Sequence, residues 1–463
     1  MIANAAEIRK FSVLSLGWLT VIFGAVWIVC WIAGVFIPAC LANSSFDFAA
    51  ALSEICKALT PLLAVMVFIP INAMFMVLFE RRGLALFTLR KGPNRVGPDG
   101  ALQTAADAIK LLLKEDITPT GADALMFTLA PVVFFAPSIF GALPLLAAVT
   151  NNHQLFQVVN LPTGIFYVLA ASSVPVVGIV MGGWASNNKY SLMGGLRSVA
   201  QAISYEIPLV LSIITICLLA GTLDVVTIAS QQAGGLLNWN IFGGGALVGL
   251  SKAIAAVISP TGASFFDIIT TYYPYGWWSL LGALVLCLST FVLFGVYITG
   301  ACAEINRIPF DLPEAESELV SGYNTEYSGM KFAIFFLAEF TNLFIVSTIA
   351  VVMFLGGGGC PLPDWMNPLC YPAIYEPLTK LLSPVLWFLI DFAHLIDPAT
   401  FWAALWVISK TYTLIFFAVL VRGTLPRFRI DQLLDFGWKR LVPITLVIFV
   451  LVSFARGVIN FHV

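Results

Sequence analysis

Apolar runs of twenty or more residues recur along this chain, and that one feature removes most ways of folding it. A helix needs about 20 apolar residues to cross roughly 30 Å of hydrocarbon. The pattern predicts nine membrane helices, at about 12–41, 57–79, 125–149, 160–184, 198–221, 277–303, 331–356, 403–421 and 440–461. Residues are 60% hydrophobic and only 10% charged, against roughly 25% charged in soluble domains. The alternating ten-residue pattern of a membrane β-barrel does not occur. The fold class is therefore all-α, a polytopic integral membrane helix bundle. The first run, from Phe11 to Ala42, is about twice the length of a signal-peptide core, so it reads as a retained helix.

Basic residues orient the bundle. With the N-terminus inside, 18 of the 23 Lys and Arg residues fall on inside segments, and only Lys57, Lys252 and Lys380 fall on outside loops. The positive-inside rule favours that orientation and puts the C-terminus outside. Two outside insertions, 222–276 and 357–402, are rich in Gly, Pro and Trp. Parts of the first, such as 242–258, suit re-entrant or interfacial helices. The net charge of −2 offers nothing for nucleic acid. His153, His394 and His462 are scattered, and the eight cysteines form no CxxC pair, which argues against zinc or iron–sulfur ligation. Cys40/Cys56 and Cys360/Cys370 suit disulfides if their loops face an oxidising compartment.

Three inside stretches carry the polar residues. The first, 78–116, contains Gly92-Pro93 and Gly97-Pro98, which break a helix, and then an amphipathic helix over 100–115. There Leu102, Ala105, Ala106, Ile109, Leu112 and Leu113 share a face, opposite Gln103, Asp107, Lys110 and Lys114. Such a helix lies on a membrane surface or packs on its own bundle, and the pattern fits both. The second, 183–209, reads as a short connecting loop running into the fifth span. The third, 304–332, reads EINRIPFDLPEAESELVSGYNTEYSGMKF and holds Glu304, Asp311, Glu314, Glu316, Glu318 and Glu326, six of the 25 acids. Asp311 and Glu314 have the spacing of a capping box, with Pro313 in the first turn. Glu314 and Glu318 would then share a helical face, and in a sheltered site their repulsion raises a carboxyl pKa. A solvated connector is the plainer reading of a charge run. The apolar residues Ile308, Phe310, Leu319 and Val320 among the acids weigh against it.

Ionisable groups inside spans each cost about 2.5–3.5 kcal/mol on insertion scales, so they mark a pathway or a pair. Glu206 and Glu339 fall at matched depths, roughly 13 and 12 Å from the nearest basic residue, and Lys410 falls roughly 18 Å deep. A proton-conducting line through all three and a structural ion pair between two of them both fit.

The motifs ERRGLALFTLRKGPNRVGPDGALQTAADAIKLLLKED, GWASNNKYSLMGGLRSVAQAISYE, EINRIPFDLPEAESELVSGYNTEYSGMKF with FFLAEFTN, and RGTLPRFRIDQLLDFGWK occur in this order. Together they resemble the H subunit family of respiratory complex I, the proton-translocating NADH:quinone oxidoreductase. The resemblance covers about residue 57 to the end. It implies eight family core helices, with residues 1–56 as an extra N-terminal helix and outside loop, and with insertions at 222–276 and 357–402. It implies a quinone tunnel and chamber drawing on Arg81, Arg90, Lys91, Arg95, Asp107, Arg307, Asp311 and Glu314. It implies a proton path through Glu206, Glu304, Glu316, Glu318 and Glu339. Arg422, Arg427, Arg429 and Asp431 resemble the family's polar stretch in the penultimate loop. Quinone would be the substrate. No cofactor would be bound by this chain alone, and FMN and iron–sulfur clusters would sit on partner subunits. The partners implied are the peripheral-arm quinone-site subunits and the neighbouring small membrane subunits, in a bacterial inner membrane. Two other readings stay open. One is the related membrane subunit of an energy-converting hydrogenase or a ferredoxin:plastoquinone oxidoreductase. The other is a stand-alone secondary transporter, which would carry an inverted repeat that the chain does not display.

Overall fold

The computed structural model describes residues 47–149, 161–233, 235–246, 277–312, 320–361 and 398–460, with Trp18, Val21 and Ala25. Its long elements are α1 (Asp47–Phe87), α2 (Gln103–Leu113), α3 (Ala124–Val149), α4 (Gly164–Ser173), α5 (Pro175–Ala185) and α6 (Lys189–Ala220). They continue with α7 (Val225–Gln231), α8 (Trp277–Glu304), α9 (Gly329–Phe354), α10 (Pro398–Thr424), α11 (Ile430–Phe436) and α12 (Val442–Asn460). Eight segments among the described residues are long and apolar enough to span a bilayer, with α4 and α5 forming one and α11 and α12 another. A π-helical turn, Gly437–Leu441, joins that last pair. No strand occurs among the described residues. The expected helix at 12–41 lies outside them except for three residues, of which Trp18 is buried with its ring 6.4 Å from Phe75. Residues 247–258 of the first insertion and most of the second (362–397) also lie outside them, as do Cys40 and Cys370 of the two cysteine pairs.

Two helix ends differ from expectation for the same reason. α1 runs to Phe87 rather than 79, and carries Glu80, Arg81 and Arg82 as helical residues. α6 begins at Lys189, so most of 183–209 is helix rather than loop. Charged residues read as the edge of a span when taken from sequence, but here they find partners inside the fold. Local chemistry sets the true boundaries of α6. The Asn188 side chain accepts from Tyr190 N at 3.0 Å, and Gly221 closes the helix in the left-handed region at φ 77°.

Helices in lipid gain little from hydrophobic burial against each other, so close backbone approach and interhelical hydrogen bonds carry the packing. α6 packs against α5, α8 and α12, while α9 packs against α1, α3 and α10. α8 meets α9 through the Tyr297 hydroxyl, which donates to Val346 O at 2.9 Å. The closest approach on α6 is at Gly194. A Cβ there would lie 2.7 Å from Gly322 Cα, because the 3-10 turn Gly322–Asn324 sits directly on this helix. Gly194→Val is expected to push that turn away, at about 1–3 kcal/mol for overpacking. A fall of several degrees in the melting temperature of the purified assembly would show it, and an unchanged melting temperature would refute the close packing.

Candidate functional site

Three carboxylates converge from three membrane-length helices. Glu304 is the last residue of α8, and Glu339 lies in the first half of α9. Both line one cavity of about 50 Å³, walled by α3, α4, α5, α6, α8 and α9. That volume holds about three water molecules. Its polar lining includes Ser138, Ser172, Ser198, Asn306 and Asn342. Ser138 donates to Asn342 at 2.5 Å, and Asn306 donates to Ser198 at 3.2 Å. Proline shapes one wall. Pro175 has no N–H to offer the carbonyl of Ala171, and both residues line the cavity. Glu206 on α6 stands close enough to repel Glu304 electrostatically, and it accepts a short hydrogen bond from Ser173 on α4. One oxygen of Glu304 is buried with no hydrogen-bond partner among the described residues. Glu339, 8% exposed, accepts from the fully buried Tyr323 hydroxyl at 2.7 Å.

The root of the acidic loop is pinned beside these acids. The Gln201 amide on α6 donates to Ala303 O and Phe310 O, both at 2.7 Å. Arg307 donates to both oxygens of Glu80 at 3.2 Å, and its guanidinium lies 4.3 Å from the centre of the Phe340 ring. Arg422 on α10 also pairs with Glu80. One buried carboxylate therefore holds two arginines and joins α1, the loop and α10. Asp311 meets Arg427 at 3.5 Å, and Phe310 stacks on Phe428 at 5.6 Å. At the far end of the loop, Tyr327 stacks on Phe127 at 4.1 Å. Burial holds its phenol well above the usual range, so it stays neutral.

The amphipathic helix is present as α2, one turn inside the expected bounds. Arg81 bonds Asp107 at 2.6 Å, which ties α2 to the end of α1, and Lys110 approaches the same carboxylate at 3.8 Å. Arg82 donates to Pro93 O at 3.1 Å. Arg90, Lys91 and Arg95 are exposed on the turn between the two helices. Leu102, Ile109, Leu112 and Leu113 are exposed as one apolar stripe, as a helix resting on a membrane surface requires.

Among the expected site residues, the structure brings Glu206, Glu304 and Glu339 together, places Arg307 and Asp311 at the loop root, and pairs Arg81 with Asp107. Glu314, Glu316 and Glu318, with the helix expected from Pro313, lie outside the described residues. Lys410 does not join the acids. Its ammonium donates to Leu355 O, Gly357 O and Gly359 O at 2.7–2.9 Å, and sits 4.3 Å from the centre of the Trp239 ring. Leu355 is sixteen residues past Glu339 along α9, roughly 24 Å at helical rise. Lys410 therefore caps the carbonyl end of α9 rather than continuing an acidic line. Sequence reading missed Glu80, Ser173 and Tyr323. Glu80 carried one usable signal, an acid directly before two arginines at the end of an apolar run.

The model of the NADH dehydrogenase family matches residues 60–453. The H subunit of the NADH-quinone oxidoreductase of Dehalococcoides mccartyi (strain CBDB1) is 39% identical over 389 residues, covering 84% of this chain and 83% of that protein. Its counterpart in a second strain of that species (ATCC BAA-2266) is 38% identical over the same length, with the same coverage. The second of the H subunits of the NADH-quinone oxidoreductase of Koribacter versatilis (strain Ellin345) is 36% identical over 386 residues, covering 80% of this chain and 89% of that protein. With eight membrane-length segments among its described residues, a matching family model over most of its length and relatives of this identity, the chain belongs to the NADH dehydrogenase family, as a member of its H-subunit branch from respiratory complex I.

Proposed function

We propose that this chain forms much of the quinone tunnel and chamber of a proton-translocating NADH:quinone oxidoreductase, and that it starts the proton path away from that chamber. The observation that carries this reading is the cavity shared by Glu304 and Glu339, with Glu206 beside it. Water in that cavity can pass a proton between carboxylates that do not touch. Proton exchange needs groups that gain and lose charge in a sheltered place, and intramembrane carboxylates held by hydroxyl donors meet that need. On the chamber side, Arg307 and Asp311 stand at the loop root, with Glu314, Glu316 and Glu318 following in sequence. Arg81 with Asp107, and the exposed Arg90, Lys91 and Arg95, form a polar collar beside the apolar stripe of α2. A long apolar quinone tail suits that stripe, and its polar headgroup suits the collar.

The chain would hold no redox centre. FMN and iron–sulfur clusters would belong to partner subunits, with peripheral-arm subunits seated over the acidic loop. The membrane would be the bacterial inner membrane, with the N-terminus cytoplasmic and the C-terminus outside. Residues 57–463 would form the family core.

The test is Glu206→Gln and Glu339→Gln in the assembled complex, reconstituted into sealed vesicles. Each variant is expected to lower protons pumped per quinone reduced, with assembly intact. Asp311→Asn should slow quinone reduction while electron transfer to artificial acceptors continues. Normal pumping in both glutamine variants would refute the proton path.

A further inference from the structure

Tyr323 reaches from the acidic loop to an intramembrane acid through a side-chain hydrogen bond. It follows the acidic stretch by a few residues and sits in the 3-10 turn Gly322–Asn324. Its ring is fully buried and packs edge-on against Phe335, with centroids 5.6 Å apart. Its backbone carbonyl accepts from Ser191 Oγ on α6 at 3.2 Å. Its hydroxyl donates to Glu339 Oε1 at 2.7 Å. The turn cannot slide along α6 freely, because Gly322 lies against Gly194 with no room for a Cβ. The phenol is thus placed by the loop turn on one side and by α6 on the other, while its bond goes to the acid of α9.

We infer that Tyr323 is a positioning residue that, from the turn ending the acidic loop, sets the orientation and proton affinity of Glu339, which deepens the proposed proton path and rests on it. A hydrogen bond from a phenol stabilises a carboxylate only while donor and acceptor stay aligned. With the turn seated on Gly194, the carboxylate is held by Oε1 beside the cavity that Glu304 also lines. Loss of that donor would change both the orientation and the proton affinity of the carboxylate. The turn that ends the acidic loop is in this way tied to Glu339 by a hydroxyl. No proton need travel through the phenol itself.

The experiment compares Tyr323→Phe with Glu339→Gln in the intact complex. Proton pumping per electron is measured in sealed vesicles, and redox-triggered infrared difference spectra are recorded on the same preparations. The Glu339 carboxyl stretch is identified as the band lost in Glu339→Gln. In Tyr323→Phe, that band should move, as removing one hydrogen bond to a charged group requires, and protons pumped per electron should fall. A purely structural tyrosine would leave the band in place. If Tyr323→Phe pumps normally with the band unmoved while Glu339→Gln is impaired, the inference falls and the proton path stands. If both variants pump normally, the path falls as well. Should the phenylalanine variant fail to assemble, 3-fluorotyrosine at position 323 keeps the volume and alters the donor, and an unmoved band there overturns the inference equally.

Discussion

Glu80→Ala is expected to abolish accumulation of the assembled complex in the membrane. Glu80 is 6% exposed and pairs with Arg307 and Arg422, which come from the loop root and from α10. Removing one member of a buried ion cluster leaves the others charged without compensation, at about 3–5 kcal/mol. Here the largely buried Arg307 would be stranded, the part-exposed Arg422 would lose its partner, and the contact joining α1, the loop and α10 would go with them. Glu80→Gln should be milder, because its amide oxygen still accepts a hydrogen bond. It should still lower assembly, since two positive charges would face a neutral group. Blue-native electrophoresis of solubilised membranes reads this directly. Wild-type amounts of complex in the alanine variant would show that the cluster is dispensable.

Lys410→Met is expected to destabilise the end of α9 opposite the acidic loop, and to do so without altering the pumping ratio of whatever complex assembles. The ammonium satisfies three carbonyls, those of Leu355, Gly357 and Gly359, in a stretch whose glycines at 356 and 357 take positive φ values of 73° and 48°. Those carbonyls lie past the last helical turn, where no backbone N–H of α9 remains for them. Methionine keeps most of the side chain's apolar stem and removes the donors. The cost is about 1–3 kcal/mol for each acceptor left dry. A drop of many degrees in thermal stability, with protons per electron unchanged in the surviving complex, is the expected pair of results. A change in that ratio would return Lys410 to the proton path.

The spans were legible because hydrophobic length is a local property: a run of twenty apolar residues reads as a helix whatever surrounds it. The ends were not legible where charge was involved. Glu80 looks like a residue at the water boundary until its partners appear, and those lie 227 residues away at Arg307 and farther still at Arg422. Two of the membrane acids were visible as charges in apolar runs, and Glu304 came from its place in the EINR motif. Their convergence on one cavity depends on how α6, α8 and α9 pack, which periodicity does not encode. Depth alone grouped Lys410 with them. Depth measures one coordinate, and Lys410 is separated from the acids along the axis of α9. Ser173 and Tyr323 were silent in the sequence because a serine in an apolar helix and a tyrosine in a loop are common.

The order in which the acids and their hydroxyl partners leave the ribosome follows from the same contacts. Ser173 precedes Glu206 by 33 residues and belongs to the preceding span, so it is synthesised first. Tyr323 precedes Glu339 by only 16 residues, so that donor arrives with its acid. Glu304, synthesised between them, is the last residue of α8 and shares its cavity with Glu339 of α9. Glu339, Asn342, Ile345 and Val346 of α9 line the cavity, so its wall is complete only with α9 in place. The order of synthesis thus gives Glu206 and Glu339 each a hydroxyl partner made before it, and gives the cavity its last wall only with α9.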